Sequence, residues 1–280
     1  MNARVKAYAK LNLTLTITGS ADGYHLLDSL VCSVDLFDLI VLKKRRDDKV
    51  SIEMHGQGME LLPYEQNNAA KAAESYIKAF GTHGADITVY KNIPVGAGMG
   101  GSSADAAGVL RGMSKLYGAG SERELKELAD TLGSDTGYML GGGYARITGR
   151  GDKVEQIDSK LRLNFLLLKP QSGVSTGECY SLYDKMPQPI QTSQNAIQSL
   201  ISGDRSALGT HLSNALYPPA AALNPDVKKA YDELKSFSPL GVNMTGSGSA
   251  VYALFENAEF CAWAKSRYKG KFNCFQVKTV

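Results

Sequence analysis

Pro94-Val95-Gly96-Ala97-Gly98-Met99-Gly100-Gly101-Ser102-Ser103-Ala104-Asp105 runs directly into a stretch with Ala106, Val109, Leu110, Met113 and Leu116 at helical spacing. This spacing predicts an amphipathic helix that opens at a glycine-rich turn. Four glycines within six residues, followed by two serines, are more than a helix cap requires. Glycines let the backbone approach an anion closely, Ser102 and Ser103 add hydroxyl donors, and the helix aims its positive end at the same place. The segment therefore reads as a phosphate cradle rather than as a plain capping turn.

Gly96, Gly98 and Gly101 also satisfy G-x-G-x-x-G, the pattern of a dinucleotide-binding turn. Such a unit needs a following strand and an acidic residue to hold the ribose. Here the helix is instead followed by a second one, opened by the capping box Ser121-x-x-Glu124, lined by Leu125, Leu128 and Leu132, and stopped at Gly133. A Walker loop fails more simply, because Ser102 stands where a lysine would follow the last glycine.

Upstream, residues 11–18 alternate Leu11, Leu13, Leu15 and Ile17 with Asn12, Thr14, Thr16 and Thr18, which predicts a half-buried strand. Residues 29–43 and 50–54 read as strands joined by an exposed turn at 45–48, and 86–90 as a short strand. A helix is expected over 67–80, with Asn67 as its cap and Gly81 as its end. Downstream, strands are expected near Tyr144 and over 163–168, 242–245, 250–255 and 272–278, with helices over 193–201, 224–237 and 257–268. A second glycine loop, Thr245-Gly246-Ser247-Gly248-Ser249, lies between two of these strands and alone reads as a turn. The mixture predicts an α+β fold. At roughly 100 to 200 residues per domain, 280 residues favour two domains, with the polar segment 148–160 as the expected boundary.

Composition narrows the function. With 43% hydrophobic and 21% charged residues the chain can bury a proper core. Its 31 Lys+Arg against 28 Asp+Glu leave a net charge of +3, and the basic run Lys43-Lys44-Arg45-Arg46 is short, so neither nucleic acid nor a membrane surface is expected as a partner. No apolar stretch is long enough to span a bilayer and no signal-like run follows the N-terminus, so a cytoplasmic protein is expected. Cys32, Cys179, Cys261 and Cys274 are scattered without zinc-ligand spacing and read as small buried residues.

Three segments taken together carry a resemblance: Ala9-Lys10-Leu11-Asn12-Leu13, then Pro94 through Asp105, then Met244-Thr245-Gly246-Ser247-Gly248-Ser249-Ala250. In this order they resemble the motifs of the GHMP kinase superfamily, which includes galactokinase, homoserine kinase and mevalonate kinase. Ala21-Asp22-Gly23-Tyr24-His25 and Gly133-Ser134-Asp135 look like the branch that phosphorylates the erythritol portion of a cytidine diphosphate-linked methylerythritol, a small-molecule substrate of the non-mevalonate isoprenoid pathway. The resemblance covers nearly the whole chain and is weakest over 184–237. It implies a two-domain fold, with an N-terminal ATP-binding domain like ribosomal protein S5 domain 2 over 1–157 and a ferredoxin-like C-terminal domain over 158–280.

The resemblance also implies roles. Asp135 is the carboxylate that receives or orients the hydroxyl proton, and Lys10 the cation that lowers its pKa and offsets charge on the transferred group. Asn12 is a substrate ligand; Tyr24 and Tyr180 stack on cytosine, and His25 supplies hydrogen bonds. ATP is held by Pro94, Gly96, Gly98, Gly100, Gly101, Ser102 and Ser103 at its phosphates and by Asn67 and Lys91 at adenine. Mg²⁺ is expected to reach the protein through the phosphates and a loop serine, and the enzyme to be a monomer or homodimer. Thr136-Gly137 stands where the family usually has Val-Pro. A kinase for homoserine or mevalonate would share Lys10 and the loop but leave Tyr24-His25 without a base to hold; a silent relative would bind nucleotide without transfer.

Overall fold

The computed structural model describes residues 2–56 and 63–280. In chain order its elements are β1 (Asn2–Asn12), β2 (Thr14–Ala21), β3 (Tyr24–Lys44), β4 (Ser51–His55), α1 (Asn68–Phe80), β5 (Ala85–Tyr90), α2 (Gly101–Tyr117), α3 (Glu122–Leu132), α4 (Thr136–Gly141), β6 (Tyr144–Gly149), β7 (Lys153–Ile157), β8 (Asn164–Lys169), α5 (Thr176–Tyr183), α6 (Gln194–Ser202), α7 (Arg205–Thr210), β9 (Ser213–Asn214), α8 (Tyr217–Leu223), α9 (Pro225–Lys235), β10 (Gly241–Met244), β11 (Val251–Phe255), α10 (Ala258–Arg267) and β12 (Asn273–Lys278). They form two compact units. One gathers Met1–Ala9, Leu36–Pro94 and Gly100–Gly142; the other gathers Lys10–Asp35, Val95–Met99 and Gly143–Val280.

In the first unit the end of β3 pairs antiparallel with β5, and β4 lies parallel to β5 on its other edge. The expected strands at 29–43 and 50–54 therefore do not form a hairpin, because β5 lies between them. Parallel neighbours need a crossover, and α1 supplies it between β4 and β5. Asn67 caps α1 through Oδ1, which accepts from Ala69 N at 2.9 Å, and Gly81 ends it in the left-handed region. The capping box of α3 forms as expected. Helix α2 carries Gly108 and Gly112 against β3, where an added Cβ would come within 2.4 Å of Ile40 and 2.2 Å of Leu42 side-chain atoms. Small residues thus let the helix that follows the glycine turn lie close on the sheet.

In the second unit the start of β3 pairs antiparallel with β2 and β6, β7 folds back on β6, and β9 adds to β2 in parallel. Segment 148–160, expected as a boundary, builds this β6–β7 hairpin. The remaining strands form an antiparallel sheet in the order β10-β11-β8-β12. With α9 before β10 and α10 before β12, this is the ferredoxin-like βαββαβ pattern. Leu166, Leu168, Val251, Ala253 and Phe255 of the sheet meet Val227, Ala230 and Leu234 of α9 and Cys261 and Ala264 of α10 in one buried cluster.

The half-buried strand expected over 11–18 is corrected by the structure for all but its end. The segment breaks at Leu13 into β1 and β2, and Asn12, Thr14 and Thr16 are as buried as the leucines, at 3%, 2% and 3% exposure, while Thr18 is exposed. The alternation is real, but both faces are covered as far as Ile17, where Thr14 Oγ1 accepts from Leu30 N at 2.8 Å and Ser29 Oγ donates to the Thr14 carbonyl. Helices α4, α5, α7 and α8 were not legible. At six to eight residues each, they span about two turns and give periodicity too little length to register. Cys32, Cys179 and Cys261 are buried free thiols, pushed up in pKa by burial. Among the described residues no helix is long and apolar enough to cross a membrane.

Candidate active site

Lys10 and Asn12 are two apart on β1 and so share a face. Lys10 Nζ donates to Asn12 Oδ1 at 2.7 Å, and that oxygen also accepts from Gly246 N at 3.0 Å. Asn12 N donates to Thr245 Oγ1 at 3.1 Å, and Asn12 Nδ2 donates to Ser29 Oγ at 2.8 Å. The Asn12 amide is thus engaged at both ends, and it ties the first motif to the third. Tyr252 Oη donates to the Asn12 carbonyl at 2.7 Å and Asn243 Nδ2 to the Leu13 carbonyl at 3.0 Å, which satisfies the backbone at the break between β1 and β2.

The two glycine loops meet backbone to backbone. Gly98 has φ +71°, and a Cβ there would sit 2.2 Å from the Thr245 carbonyl oxygen; Gly246 has φ +56° and would bring a Cβ to 2.7 Å from the Gly98 carbonyl oxygen. Ser249 N donates to Gly96 O at 3.2 Å, Ala250 N to Ala97 O at 3.3 Å, and Lys10 N to Met99 O at 3.0 Å. Asn214 Nδ2 holds the second loop from behind, donating to Met244 O at 2.7 Å and Gly246 O at 2.9 Å. The loop that alone reads as a turn is the platform on which residues 96–99 rest.

The other half of the first loop belongs to the first unit. Gly100, in the left-handed region at φ 71°, is the N-cap of α2, and no side chain caps this helix, whereas α1 and α3 have Asn67 and Ser121 in that role. The longest of the described helices therefore presents its first N–H groups without a side-chain cap, beside the Ser102 and Ser103 hydroxyls. Glycines, bare amides and hydroxyls are a donor set that fits a phosphate chain. Asn68 Nδ2 donates to Ser102 Oγ at 3.0 Å, and a Cβ on Gly101 would stand 3.5 Å from Lys91 Nζ.

Lys91 and Asn67 are both already engaged. Lys91 Nζ is held between Asp38 and Asp105, the latter at 2.6 Å, with its side chain 6% exposed. Asp38 Oδ1 accepts from Asn92 N at 2.6 Å and Ile93 N at 2.8 Å, so this buried carboxylate fixes the chain just before the glycine loop. Burial pulls the Lys91 ammonium down, and the charges of Asp105 and Asp38 more than reverse it, leaving its pKa raised. Burial pushes the Asp105 carboxyl up to about 7, against the pull of Lys91, and Asp105 Oδ1 has no hydrogen-bond partner among the described residues.

A raised carboxyl pKa means that the folded protein keeps a proton the unfolded chain releases near pH 4. The contribution of Asp105 to stability is therefore complete below pH 4 and falls as pH rises to about 7. Asp105→Asn keeps the acceptor facing Lys91 and removes the titration. Urea unfolding at pH 5 and pH 8 is expected to show a smaller loss of stability in this variant than in the wild type; equal losses would place the Asp105 proton elsewhere. Asp28, whose burial is outweighed by Arg146 and Ser193, titrates below this window.

Asp135 stands immediately before α4 as its N-cap residue, at the positive end of the helix, and makes no side-chain cap bond. At Gly137, in place of the family's proline, an added Cβ would lie 2.2 Å from Asp130 Oδ1, so the Asp130 side chain at the end of α3 packs against the bare glycine of α4.

In the second unit His25 opens β3 beside α5. Its ring packs at a tilt of 32° against Tyr180, with centroids 4.8 Å apart, and meets Tyr183 edge-on at 6.1 Å, while Nε2 lies 2.6 Å from Asp184 Oδ1. Tyr24 is 59% exposed, with the Arg150 guanidinium 4.6 Å from its ring centroid and Arg150 paired to Asp22 at 2.5 Å. Tyr180, expected as one face of a base sandwich, stands against His25.

Residues 67–145 match the family model of the GHMP kinases N terminal domain, and residues 196–261 that of GHMP kinases C terminal. The chain belongs to the GHMP kinases. It is 35% identical over 270 residues to a 4-diphosphocytidyl-2-C-methyl-D-erythritol kinase of Caldicellulosiruptor saccharolyticus, covering 95% of this chain and 92% of that one. Among solved structures it resembles a 4-(cytidine 5'-diphospho)-2C-methyl-D-erythritol kinase, with TM-score 0.83, 29% identity and coverage of 99% and 98% of the two chains. A homoserine kinase from Cytophaga hutchinsonii, at TM-score 0.75 and 18% identity over 100% of this chain and 94% of that one, shares the fold. In this GHMP kinase, sequence reasoning missed Asp38, Asn214, Asn243 and Arg150. Each acts across 30 or more residues of chain, as in Asn214 to Met244 and Asp38 to Ile93, and no local pattern carries such a signal.

Proposed function

We propose that this GHMP kinase transfers the γ-phosphoryl group of ATP to the 2-hydroxyl of 4-diphosphocytidyl-2-C-methyl-D-erythritol, as a cytoplasmic monomer or homodimer of the non-mevalonate isoprenoid pathway. The observation that carries the acceptor is the aromatic group on His25, formed by Tyr180 and Tyr183, with Tyr24 the exposed residue just before it in the chain. A base needs such surfaces and a small acceptor does not. The names of the relatives at about a third identity agree with it.

In this reading Asp135 receives the hydroxyl proton and Lys10 offsets charge developing on the transferred group. Phosphates rest on Pro94, Gly96, Gly98, Gly100, Gly101, Ser102 and Ser103, and Asn67 and Lys91 border adenine, Lys91 through its backbone because its ammonium is committed to Asp38 and Asp105. Mg²⁺, when bound, neutralises phosphate charge, and the Ser102 and Ser103 hydroxyls are the hard oxygen donors that fit it. Asn12 orients Lys10, and Tyr24, His25 and Tyr180 form the base end.

Coupled ADP release with Mg·ATP tests this, comparing the cytidyl substrate with homoserine, mevalonate and no acceptor. Turnover confined to the cytidyl substrate is expected. Turnover of another acceptor would discard the base reading, and none with any acceptor would favour a silent nucleotide binder. Tyr24→Ala is expected to raise KM for the cytidyl substrate by roughly 5- to 150-fold, the equivalent of about 1–3 kcal/mol of lost stacking, with kcat little changed. An unchanged KM would make Tyr24 a partner of Arg150 alone.

A further inference from the structure

Tyr180, Tyr183 and Asp184 occupy the last turn of α5 and its C-cap, at spacings of three and four residues that bring side chains to one face. All three converge on His25. The rings and the carboxylate constrain different things. An aromatic contact restrains the plane of an imidazole but is nearly indifferent to a half-turn of the ring that exchanges its two edges. A carboxylate at one nitrogen is not indifferent. In a neutral imidazole one nitrogen carries the proton and the other accepts, and an acceptor 2.6 Å from Nε2 places the proton there.

We propose that Asp184 is a positioning residue for base selection: by accepting from Nε2–H of His25 it leaves Nδ1 as an acceptor for the exocyclic amine of cytosine. This rests on the cytidyl reading above. Uracil carries a carbonyl oxygen in place of that amine and would oppose one acceptor with another, so the Asp184–His25 bond converts a symmetric ring into a discriminating one. The pair is not a stability device. Its side chains are 24% and 58% exposed, a setting in which ion pairs contribute little to folding.

The test uses the full chain. ¹⁵N NMR of the imidazoles at pH 8.5 is expected to show His25 protonated at Nε2 in the wild type and as a mixture of tautomers in Asp184→Ala. In the same variant KM for the cytidyl substrate is expected to rise about tenfold, with kcat within about twofold, KM for ATP unchanged, and preference over the uridyl analogue reduced. Asp184→Asn, whose Oδ1 still accepts, should restore most of the KM. A wild-type His25 protonated at Nδ1, or Asp184→Ala with unaltered KM and base preference, overturns the proposal alone. No turnover of the cytidyl substrate by the wild type overturns the functional reading and the proposal with it, so the two failures are distinguishable.

Discussion

Asp135→Asn is expected to lower kcat by about 10²- to 10⁴-fold while leaving the ATP dissociation constant and the melting temperature close to wild type. The substitution is nearly isosteric, and Asp135 makes no side-chain cap bond to α4 that an amide would break. At the helix end itself, the loss is a negative charge at the positive end of a short helix, worth about 0.3–1 kcal/mol. What the amide removes is the capacity to take a proton. Coupled ADP release gives kcat, nucleotide titration gives ATP affinity, and a thermal melt guards against misfolding. A variant with full turnover would remove Asp135 from the chemistry. A loss smaller than about tenfold would assign it an orienting role for the acceptor hydroxyl, since in phosphoryl transfer positioning and charge neutralisation carry most of the catalysis.

What the sequence made legible follows the range of the interactions concerned. Helix α1 was read with its cap and stop because Asn67 and Gly81 act on residues within one turn, and the same holds for the Ser121 capping box of α3. The strands of the ferredoxin-like sheet were placed to within a residue or two because short apolar runs, buried throughout in Val251–Phe255 and nearly so in Asn164–Lys169, are written in the local sequence. Pairing was not legible: nothing between residues 43 and 51 says that β5 will lie between β3 and β4, because this depends on the crossover through α1. Half-burial of 11–18 failed for a related reason. A polar residue on a strand reads as solvent-facing unless its partners are known, and those of Asn12 lie on Ser29, Thr245 and Gly246. The glycine loops were legible as glycine-rich, but what Gly98 and Gly246 accommodate is each other's loop, which no local pattern shows.

That mutual fit gives Gly98→Ala the largest expected effect on folding, and Gly23→Ala is its control. Both glycines have positive φ, +71° and +78°, so alanine meets the same left-handed strain at each, about 1–2 kcal/mol. Around Gly23 nothing lies within 4 Å of the added Cβ, and the loss should stop near that value. At Gly98 the Cβ would stand 2.2 Å from the Thr245 carbonyl oxygen and 3.1 Å from Gly248 N. These are backbone atoms, bonded to each other at 3.0 Å in a loop that Asn214 holds through Met244 O and Gly246 O, and cannot rotate aside as a side chain would. One loop must move away from the other, which breaks Ser249 N to Gly96 O and draws on the bonds that hold Asn12 and, through it, Lys10. Urea unfolding should therefore show Gly98→Ala destabilised by at least about 3 kcal/mol, well beyond Gly23→Ala, with overpacking added to strain. Folded material recovered at low temperature should also have lost turnover, because Lys10 is carried on the same junction. Equal losses in the two variants would mean that the loops separate without resistance, and the contact between them would then have no part in holding Lys10 in place.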